Sequence, residues 1–274
     1  MWSNSNDSNM RLFSLFKYVA VLFVGIVGAG CATTYNPATG KNEMILISAS
    51  TEVSMGEDMH QSIAQEYKFS TDEAKTSRLE GIGRRLSVIS DRQDYQYHFY
   101  LIEKDELNAF TTPGGFVYVF TGLFDKLKTD DAIAAVMAHE LGHCAARHIA
   151  KKFQASLGYS IVGTVLLSQV NAEARAIVSQ SSDAAMSLVF SAFSRQDEYQ
   201  ADSLGIKYLF LAGYDLNGMI EAFELLQKES RGDVVPLWLR THPYIEDRIK
   251  RVREEIPLAP EKYGPLLKNK PIPY

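Results

Sequence analysis

Residues 129–152 read TDDAIAAVMAHELGHCAARHIAKK. Thr129 offers a capping oxygen, and Asp130 and Asp131 set anions at the positive end of a helix dipole. Ile133, Val136, Met137, Leu141 and Cys144 then recur at helical spacing, and Arg147, Lys151 and Lys152 suit a C-terminal end. On this helix lies His139-Glu140-Leu141-Gly142-His143. Histidines at i and i+4 project from one face about one turn apart, so both imidazoles reach one zinc ion. Glu140 is turned roughly 100° from His139, beside the ligands, where its carboxylate can act on a water. Cys144, next to a ligand, reads as a packed helix residue and not as a nucleophile.

A catalytic zinc takes three protein ligands and leaves a fourth position open. Continuing the motif to a third histidine fails, because Ala146 and Ile149 stand where a glycine and a histidine are needed. His148 is one place out of register, about 140° around a continuous helix from His143, and reads as a surface or packed residue. A carboxylate on a second helix is the other solution. Residues 183–212 are amphipathic and contain Arg195-Gln196-Asp197-Glu198-Tyr199-Gln200-Ala201-Asp202. Glu198 and Asp202 share a face, so one can bind the metal while the other orients a ligand histidine. A solvated charged face has the same spacing, and spacing alone does not separate the two.

The 274 residues, 46% hydrophobic and 22% charged, suffice for one sizeable domain and argue against disorder. A formal net charge of −5 gives no electrostatic footprint for nucleic acid, and two cysteines make no disulfide framework. Residues 1–30 read as an export signal: Arg11 and Lys17 precede an apolar run over Tyr18–Gly30 that is short for a membrane span. Cys31 follows directly, and Val27-Gly28-Ala29-Gly30-Cys31 resembles a bacterial lipobox with Gly28 in place of an aliphatic residue. Cys31 is thus the expected lipid attachment site, and Ala32 after it favours the outer membrane of a Gram-negative cell.

Residues 31–47 form the lipidated N-terminus and a turn-rich tether, and residues 48–256 the catalytic domain. A helix capped by Ser50 or Thr51 carries Met55, Met59 and Ile63, and another spans 72–89. Tyr95–Ile102 and residues 116–121 read as strands. Residues 156–170 are too short and too polar for a second membrane segment and read as a buried helix or a flap. Residues 257–274 are a Pro-rich tail that either straps across the domain or hangs free. Helices, a small sheet and helices again define a mostly helical α+β fold, with the sheet beside the metal helix.

Four separated segments resemble the M48 peptidases, zinc endopeptidases of the gluzincin type. These are Asn108-Ala109-Phe110 with Pro113–Tyr118, the motif at 139–143, Glu198–Asp202, and Thr241-His242-Pro243 followed by Arg248-Ile249. Asn36-Pro37-Ala38-Thr39-Gly40 resembles the tether of the family's outer-membrane lipoproteins. The resemblance implies a zincin-like fold, one Zn2+ per chain held by His139, His143 and Glu198, and Glu140 as general base. Asp202 becomes the partner of a ligand histidine. His242 either latches the open position or contacts the reacting carbonyl, and Arg248 is either an active-site cation or a structural ion pair. An extended substrate would add to the edge of the strand at 116–121. The implied substrates are unfolded or misassembled envelope proteins, and the helical repeats that some relatives append are not expected here. A latent zinc-binding chaperone or scaffold for outer-membrane protein assembly is the rival function.

Overall fold

The computed structural model describes residues 33–157, 171–172, 176, 182–232 and 235–267. The export signal, Cys31 and most of residues 156–170 lie outside the described residues.

The metal helix α4 (Asp130–Ala145) sits at the centre, and every residue from Ala132 to Ala145 is buried. It starts where the sequence predicts, with the Thr129 hydroxyl accepting the Ala132 N–H at 3.1 Å. Its alanines at 132, 134, 135, 138 and 145 keep the cylinder narrow, so neighbours close on it from all sides. Those neighbours are α2 (Glu73–Ser87), α7 (Arg195–Ala212), α8 (Asn217–Glu229) and the strand β4 (Ala109–Thr112). The expected helix over 183–212 is two: α6 (Ser182–Val189), then α7, started by a capping box between Ser194 and Asp197. Ser48, slightly earlier than expected, caps α1 (Ala49–Glu66), which buries Met55, Met59 and Ile63 as the spacing predicts.

The three-stranded sheet has the order β3-β5-β4. Here β3 is His98–Ile102 and β5 is Phe116–Phe120, which runs into the short helix α3 (Thr121–Lys126); β3 and β5 pair in parallel, while β4 pairs antiparallel with β5. The strand at 116–121 is therefore central, with both of its ladders taken, and offers no edge to a substrate. Its sequence shows why: alternation turns Val117 and Val119 into the core around α4, and Phe116, Tyr118 and Phe120 into a second core. That second core is completed by α1, by α5 (His148–Ser156) and by α6. The outer strands are β3 and β4; β3 already takes a bridge from Phe69, with the Ser70 N–H donating to the Leu101 carbonyl at 2.7 Å, and β4 lies against the metal helix, where Thr111 Oγ1 is 2.9 Å from Cys144 Sγ. Burial pushes the Cys144 thiol up to about 12, consistent with a packed, unreactive residue.

The tether reading of 31–47 misses a hairpin. β1 (Thr33–Asn36) and β2 (Lys41–Met44) pair antiparallel around Pro37–Gly40, with Gly40 at φ +67°. The tail straps across as far as it is described. α9 (Leu237–Thr241) and α10 (Ile245–Glu255) lead through a 3-10 turn into α11 (Ala259–Leu267), where Ala259 and Tyr263 are buried. The Tyr263 hydroxyl donates to the Ser203 carbonyl of α7 at 3.2 Å.

The crossing of α4 and α7 fixes the relation between motif and carboxylates. A Cβ added to Gly142 would lie 2.6 Å from the Ala201 carbonyl oxygen and 2.9 Å from its Cα. Glycine within a helix costs about 1 kcal/mol relative to alanine, and this approach is what that cost allows. Gly142→Ala is expected to force the helices apart, carrying Glu198 and Asp202 with α7. Chemical unfolding should show a net loss of roughly 1–3 kcal/mol despite alanine's higher helix propensity.

Candidate metal centre

His139, Glu140, His143 and Glu198 are all 0% exposed, and His242 is 1% exposed. His139 and His143 share a face of α4, and their Nε2 atoms are 3.0 Å apart. Glu198, in the first turn of α7, brings Oε1 to 3.5 Å from His143 Nε2. His242 ends α9 and turns Nδ1 inward, 3.2 Å from His139 Nε2 and 3.1 Å from Glu198 Oε1. Donor atoms from all four residues lie within 4.8 Å of one another. Around a tetrahedral ion with bonds of about 2.0–2.1 Å to nitrogen, neighbouring donors stand about 3.3 Å apart. The set therefore fits one metal ion.

Electrostatics supports the fit. Burial drives the pKa of both motif histidines well below the ordinary value, leaving neutral rings with a lone pair to give. Burial also pushes Glu198 upward, but the Arg248 guanidinium and the rings of His242 and His143 outweigh it and hold the carboxyl well below its usual range. Glu140 remains raised, because burial exceeds the relief from His242 and the Trp238 indole. Its Oε1 accepts the Trp238 Nε1–H at 3.3 Å, while the buried Oε2 has no partner among the described residues. An orphaned carboxylate oxygen in a buried donor cluster is what a reacting group would satisfy.

Asp202, one turn after Glu198, places Oδ1 at 2.9 Å from His139 Nδ1. It thereby fixes the tautomer that leaves Nε2 free for a metal. Arg248 on α10 donates to both Asp202 oxygens, from Nε at 2.8 Å and Nη2 at 2.7 Å, and its Nη1 lies 2.6 Å from Glu198 Oε2. Between the alternatives for Arg248, the geometry shows a fully buried ion pair to the Glu198 and Asp202 carboxylates, stacked over Phe223 and Trp238 at 4.4 and 4.9 Å. The guanidinium is spent on the protein's own acids.

His148 is where sequence reasoning and structure part. The continuous helix assumed through residue 148 breaks at Arg147, which adopts φ +56°, ψ +35°. That left-handed step swings His148 back, and its Nδ1 comes 2.8 Å from His143 Nδ1. Arg147 is held there by Thr34 Oγ1 at 2.8 Å, by the Ile47 carbonyl and by Glu52 Oε1 at 3.3 Å. Phe193 and Trp238 also escape a reading of the sequence. The Phe193 ring centroid stands 3.9 Å from that of His143, and the Trp238 ring stacks on His242 at 4.6 Å. Both close the site from segments with no periodic signal.

The sequence profile of peptidase family M48 matches residues 73–256. The chain belongs to this family. The M48 match spans the sheet, the metal helix, the Glu198 helix and the His242–Arg248 segment, in the order the sequence motifs predict. Among similar proteins is the beta-barrel assembly-enhancing protease of Escherichia coli K12, 28% identical over 244 residues, or 86% of this chain and 50% of that protein. The mitochondrial metalloendopeptidase OMA1 of Arabidopsis thaliana is 34% identical over 183 residues, 67% of this chain and 34% of its own length. OMA1 of Schizosaccharomyces pombe is 27% identical over 274 residues, covering 95% of this chain and 80% of its own. The chain thus spans about half the length of the bacterial M48 relative.

Arg248→Leu should expose the cost of the buried acids. Removing one partner of a buried pair costs about 3–5 kcal/mol, and here Glu198 and Asp202 would face each other without a cation. The loss, read by urea unfolding of metal-free protein, should shrink when a divalent metal is added, because the ion supplies the missing positive charge.

Proposed function

We propose that the chain is a zinc-dependent endopeptidase that cleaves unfolded or misassembled cell-envelope proteins. The observation that carries this reading is the convergence of His139, His143 and Glu198 beside a buried glutamate with a free oxygen. His139 and His143 through Nε2, and Glu198 through its carboxylate, would hold the ion, with His242 Nδ1 at the fourth position. Zinc, when bound, supplies Lewis acidity that lowers the pKa of water and polarises a carbonyl.

The protein's own groups supply proton handling and order. Glu140 takes the proton of the attacking water at Oε2 and delivers it to the leaving amine. Trp238, donating to Oε1, fixes the rotamer that keeps Oε2 turned to the reacting atoms. Asp202 and Arg248 hold the ligands and do not reach for substrate.

Complete burial means that a substrate carbonyl has no place until His242 moves. This supports the latch over the alternative in which His242 contacts the carbonyl from its present position. It equally favours the second reading, a latent zinc-binding chaperone or scaffold for outer-membrane protein assembly. The name of the bacterial relative supports an envelope role, as does the pattern of residues 1–31, which would anchor the chain by a lipid on Cys31 at the periplasmic face of the outer membrane. Among the described residues no helix is long and apolar enough to cross a membrane.

The test is casein cleavage by the zinc-loaded full chain. Glu140→Gln should keep its zinc and lose about 10²–10⁴-fold in rate; equal rates would remove Glu140 from the chemistry. His242→Ala should raise cleavage above the wild type, and an unchanged rate would reject the latch. Zinc binding with no cleavage by either the wild type or His242→Ala would favour the scaffold.

A further inference from the structure

The hairpin β1–β2 is tied to the metal centre by an unbroken line of buried side chains. Asn36 ends β1 and is 2% exposed. Its Nδ2 donates to Glu43 Oε1 at 2.7 Å and to Gln200 Oε1 at 3.1 Å, while its Oδ1 accepts the Ala38 N–H at 2.9 Å. Gln200 Oε1 lies also 3.1 Å from His148 Nε2, and His148 Nδ1 is 2.8 Å from His143 Nδ1. Asp197 Oδ1 stands 3.4 Å from the same Nε2.

Each donor and acceptor in this line is forced by the one before it. A carboxylate at Glu43 and a backbone N–H at Ala38 fix which end of the Asn36 amide is which. Asn36 Nδ2 then requires an oxygen at Gln200, and that oxygen, with Asp197 behind it, requires a proton on His148 Nε2. A neutral His148 is left with a lone pair on Nδ1, so His143 Nδ1 must be the donor there. His143 Nε2 is consequently the atom with the free lone pair, and it is the one that points at Glu198 and His139.

We propose that Asn36, Gln200 and His148 are positioning residues that set the tautomer and angle of His143 for the metal. The segment two residues beyond Cys31 is on this account a working part of the metal centre and not a passive tether. His139 receives the same service from the carboxylate of Asp202; His143 receives it from a histidine oriented by the hairpin. The hairpin also grips the helix that begins with His148. Glu43 pairs with Lys151, Gln154 Oε1 accepts the Leu46 N–H at 2.6 Å, and Gln154 Nε2 donates to the Met44 carbonyl at 3.1 Å. Movement of the hairpin is therefore movement of His148.

This inference rests on the proposed zinc site, and the experiment separates the two. Zinc affinity of the full chain is measured by competition with a chromophoric chelator, and the visible absorption of the Co2+-substituted protein is recorded. Gln200→Met keeps the volume but removes the acceptor; Gln200→Glu keeps an acceptor for both Asn36 and His148. Loss of a partner behind a metal ligand typically costs 10–100-fold in affinity, so Gln200→Met and His148→Leu should weaken zinc binding by roughly tenfold or more and alter the cobalt bands. Gln200→Glu should retain wild-type affinity and bands. Thermal unfolding of the metal-free variants controls for a general loss of fold, which would not be rescued by glutamate. Wild-type affinity and spectrum in Gln200→Met would overturn the inference, as would equal loss in both Gln200 variants. Failure of the wild type itself to bind zinc or cobalt stoichiometrically would instead bring down the zinc-site reading on which it stands.

Discussion

The close approach of two helices at Gly142 and Ala201 is the constraint on which the rest depends. It sets a histidine pair on one helix against a glutamate and an aspartate on the other, all four side chains buried from bulk solvent. Isolated charges in such a place are costly, by several kcal/mol each. The surrounding fold is organised around meeting that cost. Arg248 is brought in by the C-terminal helices to neutralise both carboxylates, and Trp238 and Phe223 bury its flat faces. The region after Thr241 is thus part of the centre, because without it the acids of α7 have no counter-charge.

Closure follows from the same packing. His242 is delivered to the centre by a five-residue helix whose backbone is tied to the loop before β4, the Trp238 N–H donating to the Leu107 carbonyl at 3.0 Å. Phe193 is tied in turn to that helix, its N–H donating to the Thr241 carbonyl at 2.9 Å. The groups that cover the site are therefore coupled to each other through main-chain bonds. The floor of the site is formed by the long helices α4 and α7, and its cover by short elements that carry Phe193 and His242.

The motif helix, its cap and both histidines are legible in the sequence because they obey local rules of spacing and capping. Glu198 and Asp202 are legible as a pair, but their roles come from the family resemblance, since periodicity cannot tell a ligand from a solvated carboxylate. The break at Arg147 is not legible. A non-glycine residue takes a left-handed conformation only when tertiary contacts hold it, and those contacts come from residues 34, 47 and 52. The hairpin escapes notice because strands of four mostly polar residues carry no hydrophobic alternation. The segment at 116–121 reads correctly as a strand and wrongly as an edge. Its unbroken apolar run already points to burial on both faces, which edge strands rarely show.

The central claim is a metal held by nitrogen and oxygen donors on α4 and α7. X-ray absorption at the zinc edge of the full chain, after zinc loading and removal of excess metal, tests it most directly. The expected result is one zinc per chain, with all first neighbours at about 2.0–2.2 Å, as for histidine and carboxylate ligands. A sulfur neighbour at about 2.3 Å, or no zinc retained, would contradict it.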